Sequence, residues 1–245
     1  GDYARAISLY EKSFSDEPVP PGPERDVEAS AINARLTMGR LYFLLGDFQK
    51  AADSFAEVRD ASLADNAANE ALGEDLREAL VDEASQTYGL FAETFLRAGR
   101  FDDALAAFEK ADEASPSSPR LAYRKARVAA ARGQDDEALA LLEQALAAET
   151  LESLFDEGEA PYEFLRELLS KTAAPADEPS LRRLLIEKLA AAHAKEGENP
   201  VLAAFLGREH LALQELERAA ELLEAAVAAK PTALSIGDLA AALIA

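Results

Sequence analysis

Apolar and small residues recur along the chain at fixed distances from a series of glycines. After Gly99, for example, an aromatic residue stands two positions later, an alanine five later and a second aromatic nine later. These offsets share one face of an α-helix, so the pattern predicts an amphipathic helix that begins directly after a glycine turn. Pro116 predicts where this helix ends, because proline cannot continue a helix. The predicted turn glycines are Gly1, Gly46, Gly99 and Gly133.

A second apolar pattern leads into the turns. Tyr88, Phe91 and Phe95 recur at helical spacing before Gly99, and a similar pattern precedes Gly46. Each unit is therefore predicted to be a helix, a turn and a second helix. Gly99 and Gly133 lie 34 residues apart, which gives the length of one unit.

This repeat resembles the tetratricopeptide repeat family. The resemblance depends on a small residue, an aromatic, the turn glycine, an alanine, an aromatic, an alanine and a proline: Ala92, Phe95, Gly99, Ala104, Phe108, Ala111 and Pro116. A later copy has small, apolar or terminating residues at Gly207, Ala219, Leu223, Ala226 and Pro231, with Gln214 in place of the turn glycine. The resemblance implies an all-α fold, a right-handed superhelical solenoid of antiparallel helix pairs.

The repeat predicts how the chain is divided. Residues 1–150 are expected to form an array, with a partial unit at 1–18 and units at about 32–63, 85–116 and 119–150. Residues 151–199 are expected to be a degenerate pair of helices, within 161–171 and 180–195. Residues 200–245 are expected to be a terminal unit followed by the start of a further helix, so the chain is predicted to be a piece of a longer array. Two of the distances between turn glycines are longer than one repeat. The additional residues are the proline-rich segment 18–23 and residues 70–84, where an extra helix is expected.

Composition narrows the classes of partner. The chain has 25 basic and 46 acidic residues, a net charge of −21 and no cysteine. Nucleic acid is an unfavourable partner, since phosphate binding needs clustered basic residues. No apolar run approaches the roughly 20 residues of a membrane span, so no membrane insertion is expected. The lack of cysteine excludes disulfides, thiolate nucleophiles and Cys-type zinc sites but leaves the compartment open, with the cytoplasm slightly favoured over the periplasm.

Catalytic motifs are absent from the sequence, and the chain is predicted to be no enzyme and to need no cofactor or metal. Its two histidines are His193 and His210. His210 stands where Tyr42 and Phe95 stand in their own units, which favours a packed or hydrogen-bonded ring over a catalytic base or metal ligand.

The resemblance also implies where a partner binds, because the first helix of each unit in this family lines a concave groove. The groove positions are three, six, ten and thirteen residues before the turn. With Arg124, which follows Arg120 at helical spacing, the predicted peptide-binding residues are Asn33, Leu36, Arg40, Phe43, Gln86, Glu93, Arg120, Tyr123, Arg124, Arg127 and Arg208. The same offsets place Val201 and Ala204 in the groove.

Arginine is over-represented at these positions. Six residues before the turn stand Arg40, Glu93, Arg127 and Arg208, although acids outnumber bases in the chain. Because the guanidinium group binds carboxylates as a planar fork, the groove is predicted to hold a peptide or helix that carries acidic side chains or a free carboxylate. The alternative is that these arginines pair with the surplus acids of neighbouring helices.

Two further functions remain open. Apolar residues near the end of the chain, such as Leu239 and Leu243, need a cover, which suggests homotypic assembly through the C-terminal helix. The array is also compatible with an accessory domain of a larger enzyme.

Overall fold

The computed structural model describes residues 3–15, 24–63, 78–148, 154, 157–195 and 199–245. The chain divides into two compact units, Gly1–Pro116 and Ser117–Ala245. Within the described ranges the regular elements are helices and no strand occurs, which confirms the all-α prediction. The predicted turn at Gly1 and the proline-rich segment 18–23 lie outside these ranges.

Among its described residues, the first unit has five α-helices. They are α1 (Tyr3–Ser15), α2 (Glu24–Leu45), α3 (Phe48–Leu63), α4 (Ala84–Arg97) and α5 (Phe101–Ala114). Each packs against the next in chain order. Of the extra helix expected at 70–84, residues 70–77 lie outside the described residues. Within the remainder, Glu78–Asp82 form a short π-helix that packs against α4.

Aromatic rings make up much of the first unit's core. The rings of Phe55 on α3 and Phe91 on α4 are stacked with their centres 4.5 Å apart, and Tyr88 meets Phe91 edge-on at 5.6 Å. Phe95 and Phe108 are also buried. These are the aromatic positions of the repeat pattern, so the residues that define the sequence period are the ones that hold neighbouring helices together.

In the part of the second unit that the structure describes there are seven α-helices. They are α6 (Ser118–Ala131), α7 (Asp135–Leu146), α8 (Ala160–Thr172), α9 (Glu178–Lys195), α10 (Pro200–Ala212), α11 (Leu216–Ala229) and α12 (Ala233–Ile244). Each packs against the next in chain order, and α12 also contacts α10. The helices α8 and α9 cover the two helical stretches expected between 161 and 195, while the assignment of unit boundaries stays a prediction.

The turns between paired helices have the backbone that the glycine pattern predicts. Gly46, Gly99 and Gly133 have φ angles of +78°, +73° and +77°, a left-handed conformation that costs glycine little. Gln214 adopts φ +61° at the turn between α10 and α11. It therefore occupies the turn-glycine position, as the sequence indicates.

Aromatic contacts join the first helices of successive pairs in the second unit. The ring of Tyr123 on α6 meets Phe164 on α8 edge-on with centres 6.1 Å apart. Tyr162 on α8 then meets Phe205 on α10 at 5.4 Å. Side chains of α6 therefore contact α8, and side chains of α8 contact α10. The predicted groove residues of this unit lie on α6 and α10.

Candidate peptide-binding site

The predicted groove residues of the first unit lie on α2 and α4. Arg40 and Gln86 are exposed, whereas Asn33, Phe43 and Glu93 are half-buried. The Glu93 carboxylate accepts a hydrogen bond of 2.9 Å from Arg97, whose guanidinium carbon lies 5.7 Å from the ring centre of Phe43. Glu93 is thus part of an ion pair within α4.

Two predicted contact residues lie in the core. Leu36 on α2 is 2% exposed and Tyr123 on α6 is 3% exposed. A side chain this deeply buried presents almost no surface to a partner, so the structure corrects the expectation that these two line an open groove. They support the first helices from within, as the contact between Tyr123 and Phe164 illustrates.

Three arginines follow one another along α6. Arg120, Arg124 and Arg127 are spaced by four and three residues, which places them on one side of the helix, and all three are half-buried. The helix begins where the Ser117 hydroxyl accepts a hydrogen bond of 3.4 Å from the backbone N–H of Arg120. The Arg127 guanidinium carbon lies 5.9 Å from the ring centre of Tyr123. We call these three residues the α6 arginine stripe.

Arg208 on α10 is already bound by acids of its own unit. Its guanidinium group donates a hydrogen bond to Glu159, just before α8, and lies 3.6 Å from an Asp238 carboxylate oxygen on α12. It also lies over the ring of Phe205, with the guanidinium carbon 5.9 Å from the ring centre. At this position the arginine pairs with acids of its own unit, as the alternative interpretation of the sequence describes.

A recess of about 120 Å³ opens beside Arg208. It lies among α10, the end of α11 and the start of α12, with Glu159 at one side. Its lining residues are Glu159, Pro200, Val201, Ala204, Arg208, Lys230, Thr232, Leu234 and Ser235. Val201 and Ala204 are at predicted groove offsets, so the recess lies on the face that the repeat pattern assigns to the groove.

Comparisons with known proteins identify the repeat. Models of the tetratricopeptide repeat match residues 33–61 and 95–156. The chain contains tetratricopeptide repeats. Proteins of this repeat type are protein-interaction scaffolds and are typically non-catalytic, and their partners are proteins or peptides.

Several solved tetratricopeptide repeat structures are similar to the chain. YrrB, described as a repeat protein with an unusual peptide-binding site, is 14% identical over 97% of both chains, with a TM-score of 0.36. A repeat protein from Parabacteroides merdae is 16% identical over 99% of this chain and 93% of its own, with a TM-score of 0.37. Yeast Tom70 is 17% identical over 99% of this chain and 59% of its own, with a TM-score of 0.32. No curated protein sequence matches the chain.

One charged residue of the repeat face was missed by sequence reasoning. Glu209 on α10 is only 4% exposed, and its carboxylate accepts hydrogen bonds from Arg166 of α8 at 3.1 and 3.2 Å. Arg182 of α9 donates a third at 2.7 Å. Glu209 therefore connects three helices. Its burial has no local sequence signal, because two residues of helix place Glu209 about 200° around the axis from Gly207.

The surface around α8 is acidic. A broad depression there is lined by Glu163, Glu167 and Glu178 around Arg166. The Arg166 guanidinium group lies 3.5 Å from Glu163 and 3.4 Å from Glu178, so acids of its own surroundings neutralise it. Arg166, which is not among the predicted groove residues, is therefore paired with acids of its own unit.

The histidines have different surroundings. Nδ1 of His210 lies 2.6 Å from the Glu215 carboxylate, which confirms the expectation of a hydrogen-bonded ring. Burial, followed by the nearby Arg218, lowers the pKa of His193 below its ordinary value of 6.5. Among the described residues there is no group of three or more potential metal-ligating side chains, and no described helix is both long and apolar enough to cross a bilayer.

Proposed function

We propose that the second unit binds an acidic segment of a partner protein along the face formed by α6, α8 and α10. The observation that carries the proposal is the α6 arginine stripe. Three arginines share one side of one helix in a chain whose net charge is −21. Three permanent positive charges on one side of a helix favour an anionic ligand at this place.

The chemistry of the stripe suits carboxylates. Each guanidinium group is permanently charged and can donate two parallel hydrogen bonds to one carboxylate. The Tyr123 ring lies beneath Arg127 and is itself held by Phe164, so one of the three groups rests on a rigid support. Less side-chain entropy is then lost when a ligand binds.

The same charges argue for a peptide over a nucleic acid. A phosphate backbone meets the field of the whole protein, which is strongly negative here, whereas a short acidic segment interacts mainly with the nearest groups because salt screens charges beyond roughly 8 Å. We expect a moderate affinity that falls as salt is added, since exposed ion pairs contribute about 0–1 kcal/mol each.

Fluorescence polarisation tests the proposal. The probe is a fluorescein-labelled peptide rich in Asp and Glu, used with a free and with an amidated C-terminus, and a peptide of the same length with Asn and Gln serves as the reference. We expect Arg120→Glu/Arg127→Glu to weaken binding of the acidic probe at least about tenfold, which corresponds to about 1.4 kcal/mol. Binding of the free-ended probe alone would assign the ligand to a terminal carboxylate.

A matched control uses two arginines of second helices. Arg183 on α9 and Arg218 on α11 are exposed, so Arg183→Glu/Arg218→Glu changes the net charge equally without touching α6. The proposal requires this control to retain most of its affinity. Equal loss in both double variants would show a nonspecific charge effect, and unchanged affinity in the α6 variant would contradict the proposal outright.

A second candidate function is homotypic assembly through α12. The side chains of Leu234, Ile236, Leu243 and Ile244 are 60%, 51%, 63% and 85% exposed. Exposed apolar groups on one short helix favour a contact with another surface. Light scattering across a range of concentrations tests this function, and a mass that stays monomeric at high concentration would contradict it.

A further inference from the structure

The recess beside α10 has an apolar floor. Pro200, Val201 and Ala204 of α10 lie on one side of it, and Leu234 of α12 lies on the other. Asn199 fixes the start of α10, because its side-chain oxygen accepts hydrogen bonds of 3.0 and 3.1 Å from the backbone N–H groups of Val201 and Leu202. The floor therefore belongs to a helix end whose position is well determined.

The polar residues of the wall are satisfied by one another. Thr232 and Ser235 form a capping box at the start of α12, in which the Thr232 hydroxyl accepts a hydrogen bond of 3.0 Å from the Ser235 backbone N–H. The Ser235 hydroxyl in turn accepts one of 3.1 Å from the backbone N–H of Thr232. These groups gain little from a polar ligand, so the recess favours an apolar one.

The repeat register explains why the space is open. Tyr123 and Ala204 stand at the same offset, ten residues before the turn positions Gly133 and Gln214. On α6 the large Tyr123 ring reaches Phe164 of the next first helix. On α10 the same position holds only a methyl group, and the space towards Leu234 of α12 is left unfilled.

Charge at the rim selects the ligand further. The charged lining residues are Arg208, Lys230 and Glu159. Glu159 and Asp238 neutralise Arg208, whereas the exposed Lys230 adds a second cation at the end of α11. These four charges sum to zero, so an anionic neighbour in the ligand is favoured only where it lies against Lys230.

We propose that the recess is a specificity pocket for one large aliphatic side chain of the bound partner segment. The neighbouring residue of the segment is an Asp or Glu, whose carboxylate lies against Lys230. This inference rests on the proposed function, because the segment must lie along the face of the first helices. It adds a sequence requirement that the α6 arginine stripe alone does not impose.

The distance between the two places sets the length of the segment. Closely packed helices lie about 8–10 Å apart, so α6 and α10, which have α8 between them, are at least roughly 16–20 Å apart. An extended peptide covers about 3.3–3.6 Å per residue. One segment of about nine residues can therefore bring acidic side chains to α6 and an aliphatic side chain, about five or six positions away, to the recess.

The test compares two labelled nonapeptides that differ at one position. Both carry an acidic cluster at one end and an amidated C-terminus, and Leu or Ser precedes an Asp at the other end. Fluorescence polarisation is expected to show at least about fivefold tighter binding of the Leu peptide to the full chain. Ala204→Phe, which imitates the large ring at Tyr123, is expected to abolish this preference, and Lys230→Glu to weaken binding of both peptides.

Folding of the variants is checked by circular dichroism, and Leu234→Ser gives a second route because Leu234 is exposed. If both peptides bind equally, or if neither Ala204→Phe nor Leu234→Ser reduces the preference for Leu, the pocket is overturned.

The α6 variants separate this outcome from failure of the proposed function. If binding depends on Arg120 and Arg127 but is equally tight for the Leu and Ser peptides, only the proposal of a specificity pocket is contradicted. A preference for Leu that survives Arg120→Glu/Arg127→Glu retains the pocket and overturns the role of the stripe. If neither peptide binds, both proposals fail.

Discussion

Gly207 of α10 leaves room for Leu223 of α11. A Cβ atom at position 207 would lie 2.6 Å from Cγ of Leu223 and 3.4 Å from the carbonyl oxygen of Ala219. The same relationship occurs in the first unit, where a Cβ at Gly39 would lie 2.4 Å from the Phe55 ring. Carbon atoms in contact prefer about 3.5–4.0 Å, so in both helix pairs the close approach depends on the absence of a side chain.

Gly207→Ala is therefore expected to lower the free energy of unfolding by about 1–3 kcal/mol, the cost of overpacking a core. Gly237 offers a matched control, because it lies in α12 and a Cβ there meets nothing within 4 Å. Gly237→Ala should raise the free energy by about 0.5–1 kcal/mol through helix propensity. Urea unfolding measures both, and a Gly207→Ala variant as stable as Gly237→Ala would contradict the packing argument.

Gln214 provides a second stability prediction. It holds φ +61°, where glycine stands in three other turns, and this conformation costs an L-residue about 1–2 kcal/mol. Gln214→Gly removes that strain but adds freedom to the unfolded chain, so we expect a gain of up to about 1 kcal/mol. Gly133→Gln is the reverse change and should lower the free energy of unfolding. Shifts of the same sign in the two variants would show that backbone strain does not decide stability here.

The helix pairs and their turns were predictable because their signal is local. The offsets from Gly99 to Phe108, or from Gly207 to Gln214, depend only on helical periodicity and on the backbone of one turn. Gln214 could therefore be recognised as a turn residue although it is not glycine.

Exposure along the candidate groove was less predictable because it depends on the neighbouring helix. Tyr123 is buried because α8 brings Phe164 against it, and Arg208 is neutralised because Glu159 and Asp238 come from distant parts of the sequence. The recess exists because the Ala204 side chain is too small to fill the space towards Leu234. A space of this kind has no sequence signal of its own.

Glu209 carries a prediction about the ion pairs of the second unit. Its buried carboxylate is held by Arg166 and Arg182, so Glu209→Gln leaves these two guanidinium groups with the exposed Glu178 as the one charged carboxylate that they share. Removing one partner of a buried ion pair is strongly destabilising, and with half-exposed arginines we expect a loss of about 2–4 kcal/mol in the free energy of unfolding.

Glu178→Gln is the control for this change. The Glu178 carboxylate lies 3.4 Å from Arg166 and 2.8 Å from Arg182, but its side chain is 55% exposed. Water can replace most of the hydrogen bonds and charge stabilisation that the Glu178 carboxylate provides. The loss in the free energy of unfolding should therefore stay below about 1 kcal/mol. Equal losses in the two variants would mean that the burial of Glu209 adds nothing to its pairing.

His193 gives the second unit a pH dependence. Burial, followed by Arg218, lowers the pKa of its ring in the folded chain, while the partly opposing Glu221 raises it. Below about pH 6.5 the unfolded chain binds a proton that the folded chain resists, so the free energy of unfolding decreases as the pH falls and levels off below the folded pKa. Urea unfolding at pH 7.5, 6.5 and 5.5 should show this decrease, and His193→Gln should show a smaller one. Because His210 is present in both proteins, the difference between them isolates His193, and identical pH profiles would exclude its contribution.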